Sequence, residues 1–206
     1  MSDTLTLYGE GRSRWIRPLW MLRELGVPFD VVEVDRPGGE LNSPQFRELN
    51  PSGKIPVLVD RGQPISESGA ILLYLGDRFP EPGLLPTAGS IERGQHDQWM
   101  FTVATEFEQP LWVLHKAMNG RGGDAAASLR EFGAAARTFR DRLAERPFLM
   151  GQDFQAVDIM FGHMLTWSVM RPLLPEWPVL RAYAQRLVQR PGFPDHLYAD
   201  GSLEGL

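Results

Sequence analysis

Residues 50–69 read NPSGKIPVLVDRGQPISESG, and the fold turns on how the proline at position 56 is read. Ile55 to Val59 is a short apolar run of strand type. A proline supplies no N–H to a sheet ladder, so Pro56 forces an edge position or a special bend and leaves the Ile55 backbone without its usual partner. Arg61-Gly62 reads as a two-residue hairpin turn. Antiparallel partners then have numbers that sum to 123, so Asp60 faces Gln63, Leu58 faces Ile65 and Ile55 faces Ser68. That register puts the unpaired Ile55 backbone about 5 Å, the usual cross-strand spacing, from a helix starting at Glu67-Ser68. An open backbone pairs with an extended peptide. A helix N-terminus, with its free N–H groups and positive dipole end, favours a carboxylate. Ser68 adds a hydroxyl, and Glu67 a charge suited to an ammonium group. A peptide-like ligand with an α-amino-acid head satisfies all of these groups together. Taken singly, Ser66 or Ser68 also reads as a helix cap and Pro56 as an edge guard against aggregation, and it is their coincidence that points to a ligand.

The 206 residues suit one large domain or two small ones, and 43% hydrophobic content is ample for a buried core. A net charge of −5 argues against nucleic-acid or anionic-membrane partners, which call for a basic footprint. The N-terminal MSDTLTLYGEG has neither a basic nor an apolar leader segment, and no apolar run approaches a membrane span, so the expected location is the cytoplasm. With no cysteine in the chain, disulfides, thiolate metal sites and a Cys nucleophile are excluded. Any thiol chemistry must use a thiol brought by a ligand.

The first eighty residues alternate strand and helix signals, whereas everything after the proline-rich PEPGLLPTAGS reads as helix. The expected domains are residues 1–80 and 91–206, joined by a linker over 81–90. Thr4 to Tyr8 alternates as a strand, and Ser13 to Leu25 is a helix closed by Gly26. Phe29 to Val34 is a second strand, and Ser43-Pro44 opens a short helix through Leu49. The hairpin follows, and then a helix from Glu67 to Phe79. The order is β-α-β-α-β-β-α. Further on, the spacing predicts a long helix from Ile91 to about Asn119, kinked or broken near Pro110, then helices over Ala125 to Glu145, Gln155 to Met170 and Val179 to Arg190.

The pattern N-P-x-G-K-I-P-x-L followed by I-x-E-S-x-A-I-x-x-Y-L resembles the thioredoxin-like domain of cytosolic glutathione transferases, and the helical remainder is similar to that family's all-α second domain. The resemblance implies an α/β thioredoxin-like N-terminal domain, a helical C-terminal domain, a cis Ile55-Pro56 bond and a homodimer. It also supplies the ligand: glutathione, a γ-glutamyl tripeptide whose cysteinyl unit would pair with Ile55. Carried over by position, Glu67 and Ser68 match the pair that holds the γ-glutamyl group, and Ile55 and Pro56 match the bend. Lys54 would reach the glycyl carboxylate, though a turn lysine reads equally well as solvated.

A glutathione-like thiol has a free pKa of about 8.5 and needs a hydrogen-bond donor to favour its thiolate. Two hydroxyls compete at the first strand-helix junction. Ser13, four residues before Arg17, has the spacing of the serine in theta-like and many bacterial members; Tyr8 stands where tyrosine-type members place theirs. Ser13 is preferred, and its competing role is that of a helix cap. Arg12 and Arg14 add positive potential beside it. In GQDFQAVD, Gln155 takes the position where the family usually has a Ser or Thr cap, so half of a capping box is lost while Asp158 is kept.

The expected function is therefore a glutathione transferase that activates the thiol for attack on a small hydrophobic electrophile, with a weakly catalytic binding scaffold of the same fold as the alternative. A dinucleotide-dependent oxidoreductase, suggested by G-E-G-R-S-R with Glu33 and Asp35 downstream, is a distant third. The four histidines show no metal-ligand spacing. Of Met100, Phe101, Phe107, Trp112, Trp167 and Met170, two or three are expected to line an apolar pocket and the rest to be core. Glu108 would face a ligand amine or water.

Overall fold

The computed structural model describes residues 4–171, 173–174, 176–204 and 206. The chain divides into two compact units, residues 1–83 with 191–197, and residues 84–190 with 198–206. The segment 191–197, which the sequence reading left with the helices, thus belongs to the first unit.

The first unit runs β1 (Leu5–Gly9), α1 (Ile16–Leu25), β2 (Phe29–Glu33), α2 (Pro44–Leu49), β3 (Val57–Asp60), β4 (Gln63–Ser66) and α3 (Ser68–Arg78). The strands form one sheet in the order β2-β1-β3-β4, with β1 parallel to β2 and both other pairs antiparallel. This mixed sheet is the expected α/β arrangement and leaves no place for the doubly wound sheet of a dinucleotide-binding domain. The β3–β4 partners are Asp60 with Gln63, Leu58 with Ile65 and Val57 with Ser66, so their numbers sum as the turn requires. Arg61 and Gly62 both have positive φ, 49° and 76°, the pair of values a type I′ turn demands. Of the two positions open to Pro56, the edge is ruled out: β3 lies between β1 and β4, and its ladder starts at Val57, just after the proline. The Ile55–Pro56 bond is cis, as is Glu81–Pro82.

Two apolar layers flank the sheet. One gathers Val34, Phe46 and Val57 with the partly buried Tyr8, Leu41, Leu49, Ile55 and Val59, so α2 covers this face. Strand alternation turns Leu5, Leu7 and Leu58 to the other face, where they are fully buried, beneath α1 and α3 packed on each other. Ser43 caps α2 through its hydroxyl, which accepts from the Phe46 N–H at 3.1 Å. The returning segment packs on α1: Phe193 meets Trp20 edge-on at 5.0 Å, Arg23 donates to the Phe193 carbonyl at 3.2 Å, and Arg12 donates to the Leu197 carbonyl at 2.9 Å.

The second unit holds α4 (Ile91–Thr102), a π-helical segment (Val103–Phe107), α5 (Glu108–Met118), α6 (Ala125–Leu143), α7 (Ala156–Val169) and α8 (Pro178–Val188). The expected long helix is therefore interrupted one turn before Pro110. Proline lacks the N–H that would bond the Glu106 carbonyl and its ring crowds that oxygen, and the chain widens ahead of it, with the Glu108 N–H reaching back to the Val103 carbonyl. Phe107, Phe132, Phe139 and Phe161 interlock as the aromatic core, with Phe139 and Phe161 stacked at 4.2 Å. Asp158 ties the second half together, accepting from the Leu149 and Gln155 N–H groups, each at 2.8 Å, and from the Tyr183 hydroxyl. Among the described residues the buried Gln155 side-chain oxygen has no hydrogen-bond partner, whereas the Asp158 carboxylate accepts from the Gln155 N–H, the Asp158 half of the capping box.

Candidate functional site

The polar features of the first unit gather at three joints: the turn after β1, the bend before β3 and the start of α3. At the first, residues 11–15 form a turn before α1 rather than the helix start expected at Ser13. Trp15, buried, precedes the helix and donates its indole N–H to the Gly11 carbonyl at 2.6 Å. Ser13 is not the cap; its hydroxyl donates to the Glu10 carbonyl at 3.0 Å, so its one proton is engaged within the turn. Tyr8, the rival, sends its ring into the α2-side apolar layer. The flanking Arg12 and Arg14 are half-buried, and Arg12 is tied to the Leu197 carbonyl.

At the bend, Asn50 is buried and organises the loop that precedes Pro56. Its amide donates to the Lys54 carbonyl at 2.7 Å, and its oxygen accepts from the Ser52 N–H and hydroxyl. Lys54 itself is exposed. Among the described residues no hydrogen bond involves the Ile55 backbone, and the ladder ends before reaching it. An extended strand could pair there.

At the start of α3, Glu67 has φ 68° and ψ 112°, outside the regions open to an ordinary side chain. Such a backbone costs about 1–3 kcal/mol and is kept where the neighbouring structure, and commonly a ligand, demands it. The Glu67 carboxylate is exposed and makes no ion pair or hydrogen bond among the described residues. Ser68, beside it, is buried and accepts a 2.9 Å hydrogen bond from the guanidinium of Arg17, which is only 1% exposed. A guanidinium can only donate, so Ser68 must accept from it and keeps its own proton to give to an incoming acceptor. The first turn of α3 adds N–H groups with no intrahelical partner and the positive end of the dipole. One helix end thus offers a carboxylate for a cation and a set of donors for an anion, the two poles of an α-amino acid.

Arg17 and Asn50 escaped the sequence reading as site-forming residues. Arg17 entered it only as a spacing marker, because an arginine in a helix reads as solvent-facing; the Asn-Pro pair at 50–51 was the available signal for an ordered loop.

The second unit sorts the aromatic candidates. Met100 and Phe107 are core, Phe101 is 63% exposed, and Trp112, Trp167 and Met170 are half-buried. Glu108 is buried rather than facing water. His96 accepts the Val157 N–H through Nε2 at 3.2 Å, a structural role, and among the described residues no cluster could hold a metal ion. A groove of about 360 Å³ beside the π-helical segment is lined by Thr102, Thr105, Glu106, Glu131, Thr138 and Phe139 among others, none of them a candidate from the first unit. Among the described residues, no helix is long and apolar enough to cross a membrane.

Comparison with known proteins covers both units. Residues 3–77 match the family described as glutathione S-transferase, N-terminal domain, and residues 123–186 match glutathione S-transferase, C-terminal domain. The chain is 39% identical over 111 residues to glutathione S-transferase F10 of Arabidopsis thaliana, an alignment spanning about half of each protein, 53% of this chain and 52% of the relative. It is 29% identical over 184 residues to glutathione S-transferase GstA of Escherichia coli O157:H7, covering 87% of this chain and 90% of that one. A sphingomonad glutathione S-transferase solved in complex with glutathione superposes with a TM-score of 0.80 at 29% identity, over 95% of this chain and 98% of the other.

Proposed function

The chain is an enzyme of the glutathione S-transferase family, and on that premise we propose that it binds glutathione across the three joints of its first unit and activates the thiol for attack on a small hydrophobic electrophile, acting as a cytoplasmic homodimer. The observation that carries this reading is the start of α3. There an unpaired Glu67 carboxylate suits the γ-glutamyl ammonium, while the Ser68 proton and the free N–H groups suit its carboxylate. The free Ile55 backbone is the seat for the cysteinyl unit, the Pro56 bend aims it, and Lys54 is close in sequence for the glycyl carboxylate.

Ser13 is the activating donor in this reading. On binding, its hydroxyl exchanges the Glu10 carbonyl for the sulfur, and a hydrogen bond given to the thiolate lowers the thiol pKa. The packing of the Tyr8 ring in the α2-side layer supports Ser13 over Tyr8. The enzyme positions the thiolate and forms no covalent intermediate with it.

Ser13→Ala and Tyr8→Phe separate the two hydroxyls. Ser13→Ala is expected to raise the bound-thiol pKa by about one unit or more, cutting the thiolate fraction at neutral pH roughly tenfold per unit, with kcat/KM falling in step. Titration by thiolate absorbance reads this directly. The same rise in Tyr8→Phe, with Ser13→Ala unchanged, would reverse the assignment, and calorimetry showing no glutathione binding to the intact chain would end the reading.

A further inference from the structure

Residues 191–197 are fastened to α1 at one end and to the Ser13 turn at the other. Gly192, Phe193 and Pro194 are buried. A Cβ on Gly192 would lie 2.7 Å from the Glu24 side chain, whose carboxylate accepts the Trp20 indole N–H at 2.9 Å, so this strap lies on α1 without room to spare. The Phe193 contact with Trp20 and the Arg23 bond to the Phe193 carbonyl hold the same end. Pro191 and Pro194 restrict the backbone between them. The Leu197 N–H donates to the Pro194 carbonyl at 3.1 Å, closing a tight turn, and the Leu197 carbonyl accepts from Arg12 Nε at 2.9 Å.

The turn that carries Ser13 is less firmly built. Gly11 is exposed with φ 54°, and a Cβ there would meet nothing within 4 Å, so the backbone is at its freest two residues before Ser13. Glu10 pairs with Arg36 at 3.5 Å, but the Arg36 side chain is 60% exposed and such a pair contributes little. The Trp15 indole holds the Gly11 carbonyl. The Ser13 bond to the Glu10 carbonyl is the one that the proposed activation gives up. Half-buried Arg12 stands between Gly11 and Ser13, and its bond spans 185 residues of sequence to join this turn to the strap.

We propose that Arg12 is a positioning residue for thiol activation: its Nε–H bond to the Leu197 carbonyl locks the Ser13 turn to the 191–197 strap, so that the Ser13 hydroxyl is aimed at the sulfur when it leaves Glu10. Aim matters because a hydrogen bond weakens steeply as it bends, and a displacement of about 1 Å at a reacting group can cost up to about a hundredfold in rate. The bond, rather than the arginine charge, does the positioning. This inference rests on the glutathione reading and deepens it.

Two substitutions separate the bond from the charge. Arg12→Gln puts an amide nitrogen at the chain position of the arginine Nε, keeping the donor without the charge, whereas Arg12→Lys keeps the charge but puts a methylene there. The full chain is titrated with glutathione, thiolate absorbance giving the bound-thiol pKa, and kcat and KM are measured with chlorodinitrobenzene as the electrophile. Arg12→Lys is expected to raise that pKa by about half a unit, lowering the thiolate fraction at neutral pH and kcat by about threefold, with KM for glutathione changed by less than about twofold because the α3 residues are untouched. Arg12→Gln should stay within about twofold of the unaltered chain in both constants. Circular dichroism establishes that each variant is folded. Should Arg12→Lys fail to fold, Gly192→Ala lifts the strap from α1 with Arg12 intact and should produce the same rise. A folded Arg12→Lys that matches the unaltered chain, or a rise in Arg12→Gln as large as that in Arg12→Lys or larger, would overturn the proposal. Calorimetry of the unaltered chain tells the two failures apart: glutathione that binds with a lowered thiol pKa unmoved by Arg12→Lys overturns this inference alone, whereas no binding ends the glutathione reading and this inference with it.

Discussion

Glu67 shows at the scale of a single residue how the site is set against stability. Its positive φ is one that glycine adopts freely, and a glutamate there stores about 1–3 kcal/mol. Glu67→Gly should remove that strain, less about 0.4–1 kcal/mol for the freer unfolded chain, and so raise stability by about 1 kcal/mol. A thermal melt would show an increase of a few degrees. The same change deletes the carboxylate that the proposed function assigns to the γ-glutamyl ammonium, so KM for glutathione should rise by about tenfold or more while kcat changes less. A lower Tm in Glu67→Gly would mean that the backbone is not strained as described. Arg17 matters at this scale through hydrogen-bond polarity: being donor-only, it fixes which way the Ser68 proton can go.

Elements transmit such demands through close packing. Gly9 ends β1 under the Trp15 side chain, and a Cβ at this position would overlap the Trp15 Cβ and ring atoms. Gly9→Ala must therefore push Trp15, and with it the turn that carries Ser13, at a cost of about 1–3 kcal/mol. Loss of stability accompanied by a lower kcat/KM is expected; an unchanged melt and rate would show that the turn yields freely. In the second unit Asp158 joins the start of α7, the turn before it and α8. Burial raises its pKa from 3.8 to about 6, against the lowering effects of Tyr183, Leu149, Gln155 and Arg190. The folded state then holds the proton through a window where the unfolded chain has released it. The Asp158 contribution is complete below about pH 4 and is lost as pH rises through about 6, a change on the order of 3 kcal/mol. Asp158→Asn removes this titration. The stability difference between the two proteins, from urea unfolding, should therefore shrink as pH rises from 4 to 7, and a difference that grew with pH would contradict the sign.

At the scale of the whole molecule, what was legible in the sequence is what depends on neighbours in the chain. The hairpin register follows from the turn at Arg61-Gly62 by counting, and the element order of the first unit from alternating patterns and caps. What escaped depends on contacts far apart in sequence. Arg17 is buried because α3 places Ser68 beside it, 51 residues on, and no local pattern marks that. The helix break was expected at Pro110, where the missing N–H is visible, but the backbone absorbs it a turn earlier, at Val103–Phe107. Least visible was the return of residues 191–197 to the first unit, where Phe193 is 3% exposed against Trp20. Phe193→Ala should cost about 3–5 kcal/mol, and hydrogen exchange should show the loss first in α1; an effect confined to α8 would place the segment elsewhere. Since the aromatic plug for α1, Phe193, is encoded 115 residues after α3 ends at Arg78, a ribosome emits the sheet and its helices long before their last piece. Co-translational maturation of that half must wait for the helical half to be made, and a premature stop just after α8 would leave Trp20 uncovered even though every strand had been synthesised.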